Sequence, residues 1–110
     1  MEKIYNKLVR DNIPEIIKAD NAKPNFRILE QTEFVKELFN KLKEEVAECE
    51  QAQSDQAALM KEIGDIYQVL EAIIKNCGLD QAEILKLKAY RQANRGGFDK
   101  KLFLESVEKE

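Results

Sequence analysis

Five carboxylates are spaced as a divalent-cation site would need them. Glu44, Glu45 and Glu48 are followed, after thirteen intervening residues, by Glu62 and Asp65. Glu45/Glu48 and Glu62/Asp65 are each i, i+3 pairs, and residues three apart lie one above the other on a helix. At about 100° of rotation per residue, the apolar stripe of the first helix runs through Val35, Leu38, Leu42, Val46 and Cys49 and takes in Glu45. Glu48 lies on its flank, about 60° further round, and Glu44 faces further towards solvent. The second helix repeats the design: its stripe of Leu59, Ile63, Ile66, Leu70 and Ile73 includes Glu62, with Asp65 on the corresponding flank.

A carboxylate among apolar neighbours is costly unless a cation or hydrogen-bond donor meets it. Four such groups converging between antiparallel helices would repel one another unless a divalent cation neutralised them. Magnesium takes oxygen ligands, keeps several waters and is commonly held by a few carboxylates together with substrate phosphates. Bridging a polyphosphate, it would offset charge, orient the chain and lower the pKa of an attacking water. Taken singly, a glutamate on a charged helix ordinarily belongs to a solvated face. Two acid pairs on equivalent edges of consecutive helices point instead to a shared role.

Composition removes several alternatives. There is no histidine, so Ser-His-Asp and Cys-His nucleophilic sites and histidine-liganded metals are excluded. Cys49 and Cys77 are in no zinc-like cluster, and both are expected as buried free thiols on apolar stripes. A net charge of -3 argues against gripping long nucleic acid through its phosphates. No apolar run approaches a transmembrane length and the N-terminus has no apolar h-region, so no membrane association and a cytoplasmic location are expected.

The elements that must position the acids follow from punctuation and periodicity. The 110 residues suit one domain, residues 1–110, with one core. Pro14 suits the first turn of a short helix that fades between Asp20 and Pro24. Thr32 is the expected N-cap of a helix from Glu33 to about Ala52. After Gln53-Ser54-Asp55 a third helix should run to Gly78, with Gly64 inside it permitting close packing. Asp80 and Glu83 make a capping-box-like start to a fourth, ending at Gly96-Gly97. Phe26 to Leu29 and Leu102 to Leu104 are expected as two short strands that pair.

The acids read as Glu44-Glu45-x-x-Glu48 and Glu62-x-x-Asp65, which resembles the E-E-x-x-E and E-x-x-D signature of MazG-like nucleotide pyrophosphohydrolases. The stretch Tyr5-Asn6-Lys7-Leu8-Val9-Arg10-Asp11-Asn12-Ile13-Pro14 and the stretch Arg95-Gly96-Gly97-Phe98 look like the two ends of a compact subgroup of that superfamily. The resemblance spans nearly the whole chain. It implies an all-α fold of four helices, often completed by a partner subunit in a homodimer or larger homo-oligomer. It also implies magnesium-dependent hydrolysis of a nucleoside triphosphate between the α and β phosphates, with manganese as a substitute ion. House-cleaning of non-ordinary nucleotides is one expected use.

Carried over by position, Glu45, Glu48, Glu62 and Asp65 are the expected magnesium ligands, and Glu44 has no assigned role. Glu48 is the candidate to take the proton of the attacking water. Lys7, Arg10, Arg91 and Arg95 are candidates for phosphate contact, although Arg95 equally suits the basic last turn of a helix. Tyr5, Phe26, Phe98 and Phe103 are either base-stacking or packing aromatics. Phosphoribosyl-ATP pyrophosphohydrolase of histidine biosynthesis shares the fold and the acidic motifs. A helical interaction module with solvated acids is the alternative of a different class.

Overall fold

The computed structural model describes residues 1–109 of the chain. The architecture is all-helical, with α1 (Ile13–Ala19), α2 (Gln31–Gln51), α3 (Gln56–Asn76) and α4 (Gln81–Arg95) in order and no strand among the described residues. Met1–Gly78, carrying α1 to α3, is one compact unit, and a second begins at Leu79 and carries α4.

In the first unit α2 and α3 pack against each other. The short link after Gln51 leaves them antiparallel, as helix hairpins with short connections are. Asp55 starts α3 by accepting a hydrogen bond from the Ala58 N–H at 3.1 Å. At the far end of the pair, Gln31 Nε2 donates to the Asn76 carbonyl at 3.3 Å. Gly78, at φ +67°, takes the left-handed turn that ends α3. Pro14 stands in the first turn of α1, as its missing N–H allows.

The line of contact differs from the apolar stripes read along the sequence. Among the described residues, Leu38 and Ile73 are the only hydrophobic residues that are buried. On α2 the inward line runs through half-buried Phe34, buried Leu38, half-buried Lys41 and Leu42, and buried Glu45, while Val46 and Phe39 are exposed. On α3 it runs through Leu59, Glu62, Ile66, Val69 and Ile73, leaving Ile63 and Leu70 exposed. The physical reason is that α3 is apolar over more of its circumference than one partner helix can cover, so contact with α2 buries a single stripe.

Other expectations are corrected as well. The N-cap of α2 is Glu30, without a side-chain bond, and Thr32 lies inside the first turn. A Cβ at Gly64 would meet nothing within 4 Å, so that glycine serves no close approach. Cys77 is exposed at the end of α3, whereas Cys49 is half-buried. The two expected strands are absent. Arg27 holds the first segment to the start of α2 by a forked pair with Glu33, at 3.0 and 2.6 Å. Phe26, Ile28, Leu102, Phe103 and Leu104 are exposed. Without a ladder partner, such short extended segments leave their backbone groups to water.

In the second unit, the Asp80 carboxylate accepts from the Ala82 and Glu83 N–H groups at 2.8 and 3.4 Å, and Gly96 at φ +83° ends α4. No helix is long and apolar enough to cross a membrane among the described residues.

Because Asp55 forms a cap and Thr32 does not, Asp55→Ala should cost about 1 kcal/mol of stability. Thr32→Ala should stay within about 0.5 kcal/mol. Denaturant unfolding of the two variants beside the wild type checks the contrast.

Candidate functional site

Antiparallel packing brings the C-terminal half of α2 against the N-terminal half of α3. Carboxylate oxygens of Glu45, Glu48 and Glu62 all lie within 4.8 Å of one another. Glu45 is only 5% exposed, Glu62 is half-buried, and Glu48 stands at the open edge. Glu45 Oε2 and Glu62 Oε2 are buried and have no hydrogen-bond partner. A buried carboxylate oxygen without a partner is costly, and either a shared proton or a bound cation would satisfy both.

Asp65 stands apart from that trio. Its Oδ1 receives Arg10 Nη2 at 2.6 Å, and its Oδ2 lies 3.8 Å from Lys61 Nζ. Lys7 Nζ reaches Glu44 at 3.3 Å, so the N-terminal segment is fastened to α2 and α3 by two ion pairs. Lys7 and Arg10 therefore reach the acids. Arg91 and Arg95 belong to the second unit and form no ion pair among the described residues. Tyr5 and Phe26 in the first unit, and Phe98 and Phe103 in the second, are exposed. Lys3 and Lys7 hold their ammonium groups 5.0 and 5.7 Å from the Tyr5 ring centre.

Two lysines escaped the sequence reading. Lys41 Nζ lies 3.4 Å from Glu44 and 3.5 Å from Glu45, and Lys61 Nζ lies 3.3 Å from Glu62. The signal for Lys41 was its position three and four residues before two acids. Lys61 carries the same signal, four residues before Asp65, besides neighbouring Glu62 directly. Glu44, without a role in the sequence, is the shared partner of Lys7 and Lys41.

The electrostatics follow from burial. Desolvation first, then the neighbouring Glu62 and Glu48, push the Glu45 carboxyl up from 4.5 to about 7, against the pull of Lys41. Burial also works to raise Glu62, but hydrogen bonding with Glu48, Glu45 and Lys61 outweighs it and holds Glu62 below its ordinary value. Without a cation, Glu45 therefore holds its proton below about pH 7. Burial and then the adjoining acids raise the Cys49 thiol, which keeps it neutral.

Beside the acids opens a cavity of about 610 Å³ between the N-terminal segment, α1, α2 and α3. Glu45 and Asp65 line one part of it with Arg10 and Lys41, and Phe34, Leu38 and Val69 line another. An all-oxygen donor set next to such a cavity suits a hard cation with open coordination positions.

No protein-family model matches the chain, and no solved structure does. The chain is similar to an uncharacterized protein of Mycolicibacterium smegmatis, 48% identical over 52 residues that make up 47% of this chain and 53% of that protein. It thus spans about half the length of the curated relative it matches.

The raised Glu45 carboxyl sets a pH dependence. The native protein holds a proton that the unfolded chain releases at its ordinary 4.5. The resulting stability is fully present below 4.5 and is lost as pH rises through about 7. With divalent ions chelated, the unfolding temperature should fall across that window in the wild type and stay flatter in Glu45→Gln. Parallel curves for the two proteins would remove Glu45 as the cause.

Proposed function

We propose that this chain is a magnesium-dependent nucleoside triphosphate pyrophosphohydrolase of the MazG-like kind, yielding a monophosphate and pyrophosphate. The observation that carries the reading is the convergence of Glu45, Glu48 and Glu62 with two buried, unpartnered oxygens beside an open cavity. Those orphaned atoms and the all-carboxylate donor set fit magnesium, or manganese in its stead. Glu45, Glu48 and Glu62 would hold the ion, and Asp65 would join them on release from Arg10. When bound, the ion supplies charge neutralisation for the phosphates and lowers the pKa of the attacking water.

The chain's own groups account for the rest. Glu48, at the solvent edge of the trio, takes the proton of the water that attacks phosphorus, while the bond between the α and β phosphates breaks and pyrophosphate leaves. Arg10 and Lys7 carry the guanidinium and ammonium that phosphate oxygens favour, and a triphosphate competes for both against single carboxylates. Lys41 and Lys61 offset the charge of the acids from the flank.

Self-association is part of the same reading. Met60, Ile63, Tyr67 and Leu70 form a second stripe on α3, spaced three and four apart and all exposed, at 65%, 40%, 64% and 38%. A chain that buries few side chains of its own gains most from a partner covering such a stripe. We therefore expect a homodimer through this face. Light scattering should give a dimer mass for the wild type and a monomer mass for Leu70→Glu with Tyr67→Glu. A monomeric wild type would overturn this.

Catalysis is tested by pyrophosphate release from ordinary and modified NTPs and dNTPs and from phosphoribosyl-ATP, with magnesium and again with EDTA. Glu62→Gln with Asp65→Asn should lower turnover at least about a hundredfold, since even outer-shell partners of metal ligands are worth 10–100-fold. The helical fold should be retained, because charge repulsion falls. Unchanged activity in the double variant would take these acids out of the mechanism, and no magnesium-dependent release from any substrate would favour a helical interaction module.

A further inference from the structure

The cavity is polarised along its length. On α2 its lining residues are Phe34, Leu38, Lys41 and Glu45, a single face spaced four, three and four residues apart. At 1.5 Å per residue that face runs roughly 16 Å from the aromatic ring to the buried acid. The antiparallel register, set by Gln31 against Asn76 and Glu45 beside Glu62, brings Val69 opposite Leu38, towards the apolar end. Gln68, which also lines the cavity and is exposed, precedes it on α3. Asn12 closes the same cavity from the N-terminal segment, and its carboxamide does not cap α1.

One end therefore offers acids and cationic side chains, the other an aromatic ring and aliphatic walls, and the Gln68 and Asn12 carboxamides belong to the same lining. A nucleoside 5′-phosphate has the matching polarity, with charged phosphates at one end and a flat, apolar-faced base at the other. Resting on the hydrolase reading above, we infer that the Phe34 end of this cavity is the base seat and that Gln68 is the residue that reads the base. Phe34, Leu38 and Val69 supply contact with the ring faces. The Gln68 carboxamide presents a donor beside an acceptor, the arrangement that pairs with the edge of a base. A hydrogen-bonding group at the seat discriminates far better than an apolar wall, because the wrong base leaves it unpaired. Asn12 acts as a second, outer polar contact.

The test is calorimetric titration of the full-length protein with the four ordinary nucleoside monophosphates and with ribose 5-phosphate. Gln68→Met keeps side-chain length while removing both hydrogen-bonding atoms, and its exposed position makes the fold insensitive to the change. The wild type should bind one monophosphate at least about tenfold more tightly than ribose 5-phosphate. Gln68→Met should lose about tenfold for that nucleotide and flatten the ranking of bases. Phe34→Leu should weaken all four and leave ribose 5-phosphate unchanged. Ribose 5-phosphate binding as tightly as every nucleotide, or an unaltered base ranking in Gln68→Met, would overturn the inference. Pyrophosphate release assayed in parallel separates the two ideas. Base-selective binding without release removes the hydrolase reading and keeps the base seat. Release that is indifferent both to the base and to Gln68→Met keeps the hydrolase and removes the seat.

Discussion

The burial of Glu45 between α2 and α3 is the constraint to which the rest of the first unit answers. A carboxylate at 5% exposure, with one oxygen unpartnered, is expensive to ionise. Glu48 and Glu62 add repulsion rather than relief. Lys41 supplies the nearest intramolecular cation, and the Glu45 carboxyl is still pushed up to about 7. A sequence that keeps this group on the inward face of a helix, where leucine would pack at no electrostatic cost, retains an arrangement that stability alone does not account for.

The helix pair gives that arrangement its rigidity. Both helices span 21 residues, their link is short, and the Asp55 cap and the Gln31 bond to Asn76 fasten opposite ends of the hairpin. The link at one end and the Gln31 bond at the other set the register of the acids, which lie towards the linked end. The N-terminal segment is held less firmly, by two ion pairs whose basic members are 41% and 54% exposed. Such pairs contribute little to stability. The segment that roofs the cavity is thus the part most readily rearranged when a charged ligand competes for Lys7 and Arg10.

Charge and apolarity are segregated along one continuous face of α2. The same 3.6-residue repeat that sets Phe34 and Leu38 towards α3 also sets Lys41 and Glu45 there. The cavity's gradient from aromatic to acidic is therefore a direct consequence of helical periodicity acting on the order of residues in the chain.

Much of this was legible beforehand, and for local reasons. The four helices, the Pro14 start of α1, the Asp80 cap and the glycine stops at Gly78 and Gly96 follow from backbone preferences that act over a few residues. The pairing of Glu45 with Glu48 and of Glu62 with Asp65 follows from helical rotation alone. The sequence could not decide which of several apolar lines on α3 would meet α2. That choice depends on the partner surface, and it left Ile63 and Leu70 outside, while Glu62 lies inward as its place on the stripe implies. Nor could it separate Asp65 from the acid trio, because the separation rests on Arg10, 55 positions away. The two expected strands failed for a related reason: a strand is completed by a neighbour, and alternation along a segment does not provide one. The chain by itself determined its helices and the spacing of its acids, since both are set by local geometry. Only tertiary packing decided which acids lost their water, which found a cation and where the cavity opened, because desolvation and long-range pairing are properties of surfaces brought together.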